Sequence, residues 1–257
     1  MNIKVYTTGG GIFSKFMVAV QWIDATVSDI DSIDSIYLDI NRNKKGLCKL
    51  GEEWHKNVGN TNPFNYALTQ DDTIKFDEVL YPTPLPSYLD IINVHNLNRL
   101  KTIVSKLKIK DTVINKLKPL KGKTLGVHVR LTDMEIWHPE NGVGIITNTF
   151  YEATKKTLQS ESFDSIFVSS DNDESIEYFK EKMDIVYNNV NNRVNWVSDG
   201  SKQMDLQLSR SGDETFWVDS FVDMLSLSRC NKLIYRVSNF SNASVLFSKT
   251  ITDTIKI

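Results

Sequence analysis

Cysteine is scarce in this 257-residue chain: the two present, Cys48 and Cys230, are too few for a disulfide framework. Four histidines, His55, His95, His128 and His138, show no ligand spacing among themselves or with the cysteines, so no metal site is expected. No apolar run approaches the ~18–20 residues of a membrane span. The opening residues, MNIKVYTTGGG, lack a basic stretch leading into an apolar one, and the chain reads as cytoplasmic with no integral membrane segment. Charge of one sign is also lacking. Thirty basic against 32 acidic residues leave a net charge of −2, which gives no global reason to expect a nucleic-acid or anionic-membrane partner. Any bound anion must be held locally. What is present is apolar matter: 40% apolar and 24% charged residues describe a globular chain with a substantial core, long enough for one large domain or two small ones.

Residues 3–6 form a short β-branched and aromatic run that stops at Gly9-Gly10-Gly11, the pattern of a strand ending in a glycine turn. Phe13, Phe16, Met17, Val20, Ile23 and Val27 then recur at helical spacing, with Lys15, Gln21 and Asp24 on the other side. Residues 35–40 and 76–81 read as further strands, separated by a polar, loop-bearing stretch, 41–73, that includes Trp54 and Phe64. Pro82, Pro84 and Pro86 end regular structure. Over 97–117, Leu97, Leu100, Ile103, Val104 and Leu107, then Val113, Ile114 and Leu117, stand among lysines as one or two amphipathic helices. Pro119 and Gly122 follow, which predicts domains 1–118 and 119–257. The second half alternates more clearly: strand 124–130, helix 150–158, strand 165–170, helix 174–182, strand 184–187, a long polar loop, helix 214–229, strand 232–237 and a last helix near 241–249. Such alternation predicts parallel sheets covered on both faces, in two α/β domains.

In open parallel sheets ligands bind beyond the carboxyl ends of the strands. In strand 124–130, Leu125, Val127 and Val129 share one face while Gly126, His128 and Arg130 share the other. Arg130, at the end and followed by Thr132 and Asp133, can offer its planar fork to phosphate oxygens or pair with Asp133. After strand 165–170 come Asp171, suited to accept hydrogen bonds from a ribose or base, and Asp173, suited to cap the next helix. In helix 214–229, Val218, Phe221, Val222 and Leu225 make the buried stripe, with Asp219 and Asp223 four apart on another face. Like charges at that spacing oppose a helix by ~0.2–0.5 kcal/mol, so one of them is expected to have a partner and Asp219 to lie on a solvated face. Ser238-Asn239-Phe240-Ser241-Asn242 leads into a helix whose first N–H groups can receive a phosphate, or be capped by Ser238, Ser241 or Asn242. The glycine triplet lacks the spacing of a dinucleotide fingerprint, and serves either a close backbone approach or a tight turn.

The segment Gly126-Val127-His128-Val129-Arg130-Leu131-Thr132-Asp133 resembles the H-x-R-R-x-D motif of the fucosyltransferase superfamily that groups α-1,6-, α-1,2- and protein O-fucosyltransferases. The similarity is to the α-1,6 branch, which includes nodulation fucosyltransferases. Two more segments follow in the family's order, IFVSSDNDES at 166–175 and WVDSFVDMLSLSRCNKLIYRVSNFS at 217–241; residues 98–117 resemble the helix before the motif, and Gly9 to Phe13 match loosely. The resemblance implies a GT-B fold, two Rossmann-like domains facing across a cleft, with the acceptor on 1–118 and the nucleotide sugar on 119–257. It implies inverting, metal-independent transfer of fucose from GDP-fucose to a glycan acceptor, with no cofactor, since the nucleotide sugar is a substrate. Carried over, Arg130 would hold the β-phosphate and stabilise the leaving diphosphate. The motif does not mark the residue that would deprotonate the acceptor; Glu135 is the candidate catalytic base, with His138 behind it. His128, Asp133, Asp171, Asp223, Ser238, Asn239, Gly10 and Gly11 would form the donor site. In it, His128 contacts the nucleotide and Asp223 the base, while Ser238 and Asn239 contact the diphosphate. The motif's usual second arginine is Leu131 here, and segment 134–139 is shortened. These departures leave open another donor, such as UDP- or GDP-rhamnose, or a noncatalytic sugar-nucleotide-binding protein of the same fold.

Overall fold

Alternation of apolar and polar side chains from residue 2 to residue 7 sets the first sheet. The computed structural model describes residues 1–7, 12–40, 62–81, 96–131, 143–190, 193 and 213–257. In it β1 (Asn2–Thr7) buries Ile3, Val5 and Thr7 and leaves Asn2, Lys4 and Tyr6 half-buried. The chain continues through α1 (Ile12–Thr26), β2 (Ser35–Ile40), α2 (Phe64–Ala67), β3 (Leu68–Thr69) and β4 (Glu78–Leu80). β2 and β4 flank β1, and both pairings are parallel. The 97–117 pattern resolves into α3 (Leu97–Ser105) and a single turn, α4 (Asp111–Ile114), interrupted by β5 (Lys108–Ile109), which pairs antiparallel with β3.

The second sheet is wholly parallel. Its strands β6 (Thr124–Val129), β7 (Ser165–Ser170), β8 (Lys232–Tyr235) and β9 (Asp253–Lys256) lie in the order β7-β6-β8-β9. Around it run α5 (Val143–Ser160), α6 (Asp173–Lys182), α7 (Glu214–Ser228) and α8 (Asn239–Phe247). The central strand β6 is buried along its whole length. On one face Leu125, Val127 and Val129 pack with Ile146 and Phe150 of α5 and Ile176 and Phe179 of α6. On the other, Phe167, Leu233 and Tyr235 meet Leu227, Cys230 and Val245. A Cβ on Gly126 would stand 3.0 Å from Cys230 Sγ, so the end of α7 can approach β6 only over a glycine. A further core joins Ile3, Val5, Phe16, Val20 and Ile23 to Leu100 and Ile103 of α3, to Trp217, Phe221 and Val222 of α7, and to Leu246 of α8.

Several expectations need correction. Residues 184–187 are not a strand: their pairing with β7 is a single parallel bridge, Val186 to Phe167, because the apolar run there is only Ile185-Val186. β9 was not expected, since Asp253-Thr254-Ile255-Lys256 has the mixed polarity of a short edge strand. The stretch 41–73, read as polar loops, contains α2, whose Phe64 is fully buried; Trp54 lies outside the described residues. Lys15, on the side read as polar, is 0% exposed, because α1 is covered by both α3 and α8. Asp219 is buried, not solvated, since α7 is enclosed by β6 and β7 on one side and α2 and α4 on the other. Among the described residues no helix is long and apolar enough to cross a membrane.

Candidate functional site

Parallel register brings three strand ends level. His128 stands beside Ser169 and Tyr235, and Val129 beside Ser170, so Arg130, Asp171 and Arg236 follow directly at the carboxyl edge of β6, β7 and β8. Asp171 Oδ1 accepts the Leu131 N–H at 3.0 Å, which ties the first two ends together. Asn172 then caps α6, its Oδ1 accepting the Ser175 N–H at 3.2 Å. Asp173, the expected cap, is instead the first helical residue, with its side chain 51% exposed. The cap must be extended, as Asn172 is at φ −134°, ψ 134°, and a carboxylate one residue on still lies in the first turn, where the helix dipole favours it.

The third strand end is locked by hydroxyls. Ser238 caps α8 by accepting the Ser241 N–H at 3.1 Å. The Ser241 hydroxyl donates to the Arg236 carbonyl at 3.0 Å and lies 2.7 Å from His128 Nδ1. The His128 ring also stacks on Phe240, with centroids 4.6 Å apart. Phe13, in the first turn of α1, meets Phe240 edge-on at 4.9 Å and Phe221 at 5.3 Å. The N-termini of α1 and α8 therefore lie side by side at the carboxyl edge of β6, and each leaves its first N–H groups without intrahelical acceptors. Such a place suits an anion.

Asp223 sits below this edge, 1% exposed. Its Oδ2 accepts from Ser169 Oγ at 3.0 Å and its Oδ1 from Asn188 Nδ2 at 2.9 Å. Burial pushes its carboxyl up to about 6, while Arg193, Asn188 and Ser169 pull the other way and Asp219 adds to the rise. Arg193, which the sequence reading missed, is 5% exposed. It donates from Nε to the Ser170 carbonyl at 3.2 Å and from Nη2 to the Asn188 carbonyl at 2.6 Å, with Asp223 and Asp173 each at 3.9 Å. No local pattern marks it. Asp219, in turn, takes Lys116 Nζ at 2.9 Å, so the two buried acidic residues of α7 each have a cationic partner.

Of the expected site residues, the fold thus gathers Arg130, His128, Asp171, Ser238 and Asn239 at one edge, with Asp223 beneath them. Arg130 is half-buried and engaged, and Leu131 is 0% exposed within the apolar cluster of β6. Gly10, Gly11, Asp133, Glu135 and His138 lie outside the described residues. A hollow of ≈ 350 Å³ lined by Asp173, Glu174, Glu177, Tyr178 and Glu181 opens on the outer face of α6, where its acidity disfavours an anion.

No protein-family model matches the chain, and no curated protein matches it. Among solved structures it is similar to NodZ α-1,6-fucosyltransferase soaked with GDP-fucose, at 13% identity over 96% of this chain and 92% of that one, with a TM-score of 0.49. Fucosyltransferase NodZ from Bradyrhizobium is similar at 13% identity over 96% and 93%, with a TM-score of 0.49. POFUT1 in complex with GDP-fucose is similar at 12% identity over 100% of this chain and 73% of that one, with a TM-score of 0.43. These are likenesses of outline only.

Proposed function

We propose that the protein is a glycosyltransferase of GT-B fold, its two Rossmann-like halves facing across a cleft, that transfers fucose from GDP-fucose to a glycan acceptor. Transfer inverts the anomeric centre and uses neither metal nor other cofactor. One observation carries this reading: the His128–Ser241 contact seats the N-terminus of α8 against the strand that ends in Arg130. A chain of net charge −2 must offset a diphosphate locally, and a guanidinium beside helix N–H groups does so. The three sequence segments that resemble the fucosyltransferase motifs, in order, supply the donor and the stereochemistry.

In this reading the acceptor hydroxyl attacks the anomeric carbon as the bond to the diphosphate oxygen breaks. Its proton passes to Glu135, and the negative charge that grows on the leaving GDP is met by Arg130, by Ser238 and Asn239, and by the backbone at Gly10 and Gly11. His128 and Asp171 bound the nucleotide, with Asp133 beside them and Asp223 on the base side. Turnover of GDP-fucose is the test, with calorimetric titration of GDP against UDP. Arg130→Ala is expected to lower turnover at least ~10²-fold; unchanged turnover would end that role, and a preference for UDP would end the fucose assignment. The burial of Leu131, where the motif has a second arginine, favours one alternative: a protein that binds the sugar nucleotide without turning it over. GDP binding with no transfer to a broad acceptor panel would select it.

A further inference from the structure

Leu131 cannot serve a ligand, since its side chain is 0% exposed in the core with Val127 and Val129 and its N–H is taken by Asp171. One guanidinium beside helix N–H groups is then little to hold two phosphates. We infer that Arg236 supplies the second cationic contact to the diphosphate, in the place that residue 131 leaves empty; this rests on the donor site proposed above.

Three observations point to it. The first is position. Tyr235 registers with His128, so Arg236, the residue after β8, extends that register to the level of Val129, which at ordinary strand spacing is about 6 Å from the Arg130 backbone. By alternation Arg130 follows the face of His128 and Arg236 the opposite one, so the two side chains bracket the carboxyl edge. The second is rigidity. The Arg236 carbonyl accepts from Ser241 Oγ at 3.0 Å, the same hydroxyl that meets His128, so its backbone is fixed relative to both β6 and the N-terminus of α8. The third is availability. Arg99, Arg193 and Arg229 donate to carboxylates or carbonyls, and Arg130 is engaged; among the described residues the Arg236 guanidinium has no hydrogen-bond or ion-pair partner, although the residue is half-buried. A planar fork of five donors, carried on a fixed backbone next to the strand end of Arg130 and the N-terminus of α8, matches phosphate oxygens rather than a nucleobase.

The test titrates wild type, Arg236→Ala and Arg236→Lys with GDP and with guanosine. For the alanine variant, GDP affinity is expected to fall at least about tenfold, as for loss of a charge-assisted hydrogen bond, with guanosine affinity unchanged and the lysine variant intermediate. GDP affinity within about twofold of wild type in Arg236→Ala, or guanosine affinity falling as far as GDP affinity, would overturn the inference and leave the donor site standing. Failure of the wild type to bind GDP at all would overturn both.

Discussion

Asp223 sits where desolvation and charge pairing pull in opposite directions. A carboxyl raised from its ordinary 3.8 to about 6 binds its proton more tightly folded than unfolded. Its contribution to stability is therefore fully present below pH 3.8 and is lost as pH rises through about 6. Against Asp223→Asn, the wild type is expected to gain ~2 kcal/mol in unfolding free energy between pH 7 and pH 4. Asp34, Asp71, Glu161 and Asp253 are shifted the other way, but they are common to both proteins and cancel in the difference. Denaturant unfolding across that range reads the slope; parallel curves would show that Asp223 is not perturbed by burial. At this scale the sequence was legible where neighbours along the chain decide the outcome. Alternation put His128 and Arg130 on one face, and the 3.6 period put Asp219 beside Asp223. It was silent where the partner is remote: Lys116 lies 103 positions from Asp219, and Arg193 is fixed by carbonyls of Ser170 and Asn188 that no spacing announces.

Among the elements, α7 diverges most from its sequence. A helix read as amphipathic is buried from Trp217 to Ser228, because both of its sides meet packed structure. Periodicity detects one apolar stripe. It does not detect polar residues that a second layer covers and satisfies, as Lys116 satisfies Asp219. The same close packing makes the α7–β6 contact testable. Gly126→Ala would place its Cβ 3.0 Å from Cys230 Sγ and 3.3 Å from Leu233 Cδ1, and is expected to cost ~1–3 kcal/mol. Cys230→Ala should recover part of that loss in the double variant, so the two changes are expected to be non-additive in a denaturant cycle. Simple additivity would place the strain elsewhere. Burial also pushes the Cys230 thiol up, out of reach of its thiolate, so alkylation of this cysteine should wait for unfolding.

For the molecule as a whole, alternation made the parallel α/β architecture legible, whereas the union of the two ends of the chain was not. Phe13 follows the glycine triplet and Phe240 follows the last cap, 227 positions apart by number, yet their rings meet at 4.9 Å. Ile3 and Val5 of the first strand share a core with Trp217, Phe221 and Leu246 of the last helices. Contacts of that separation leave no periodic trace in a sequence. They do set how the chain should melt. A core drawn from both termini couples the first sheet to α7 and α8, and these in turn pack on β7 and β8 through Leu227 and Val245. Calorimetry is therefore expected to show one transition with calorimetric and van't Hoff enthalpies equal. GDP at about 100 times its dissociation constant should move that single transition upward, by the ~2.7 kcal/mol that ligand linkage supplies to whatever unit carries the site. Two transitions, with GDP shifting one of them alone, would mean that the nucleotide-binding half unfolds by itself, and that the Phe13–Phe240 contact seats α1 without binding the halves into one cooperative unit.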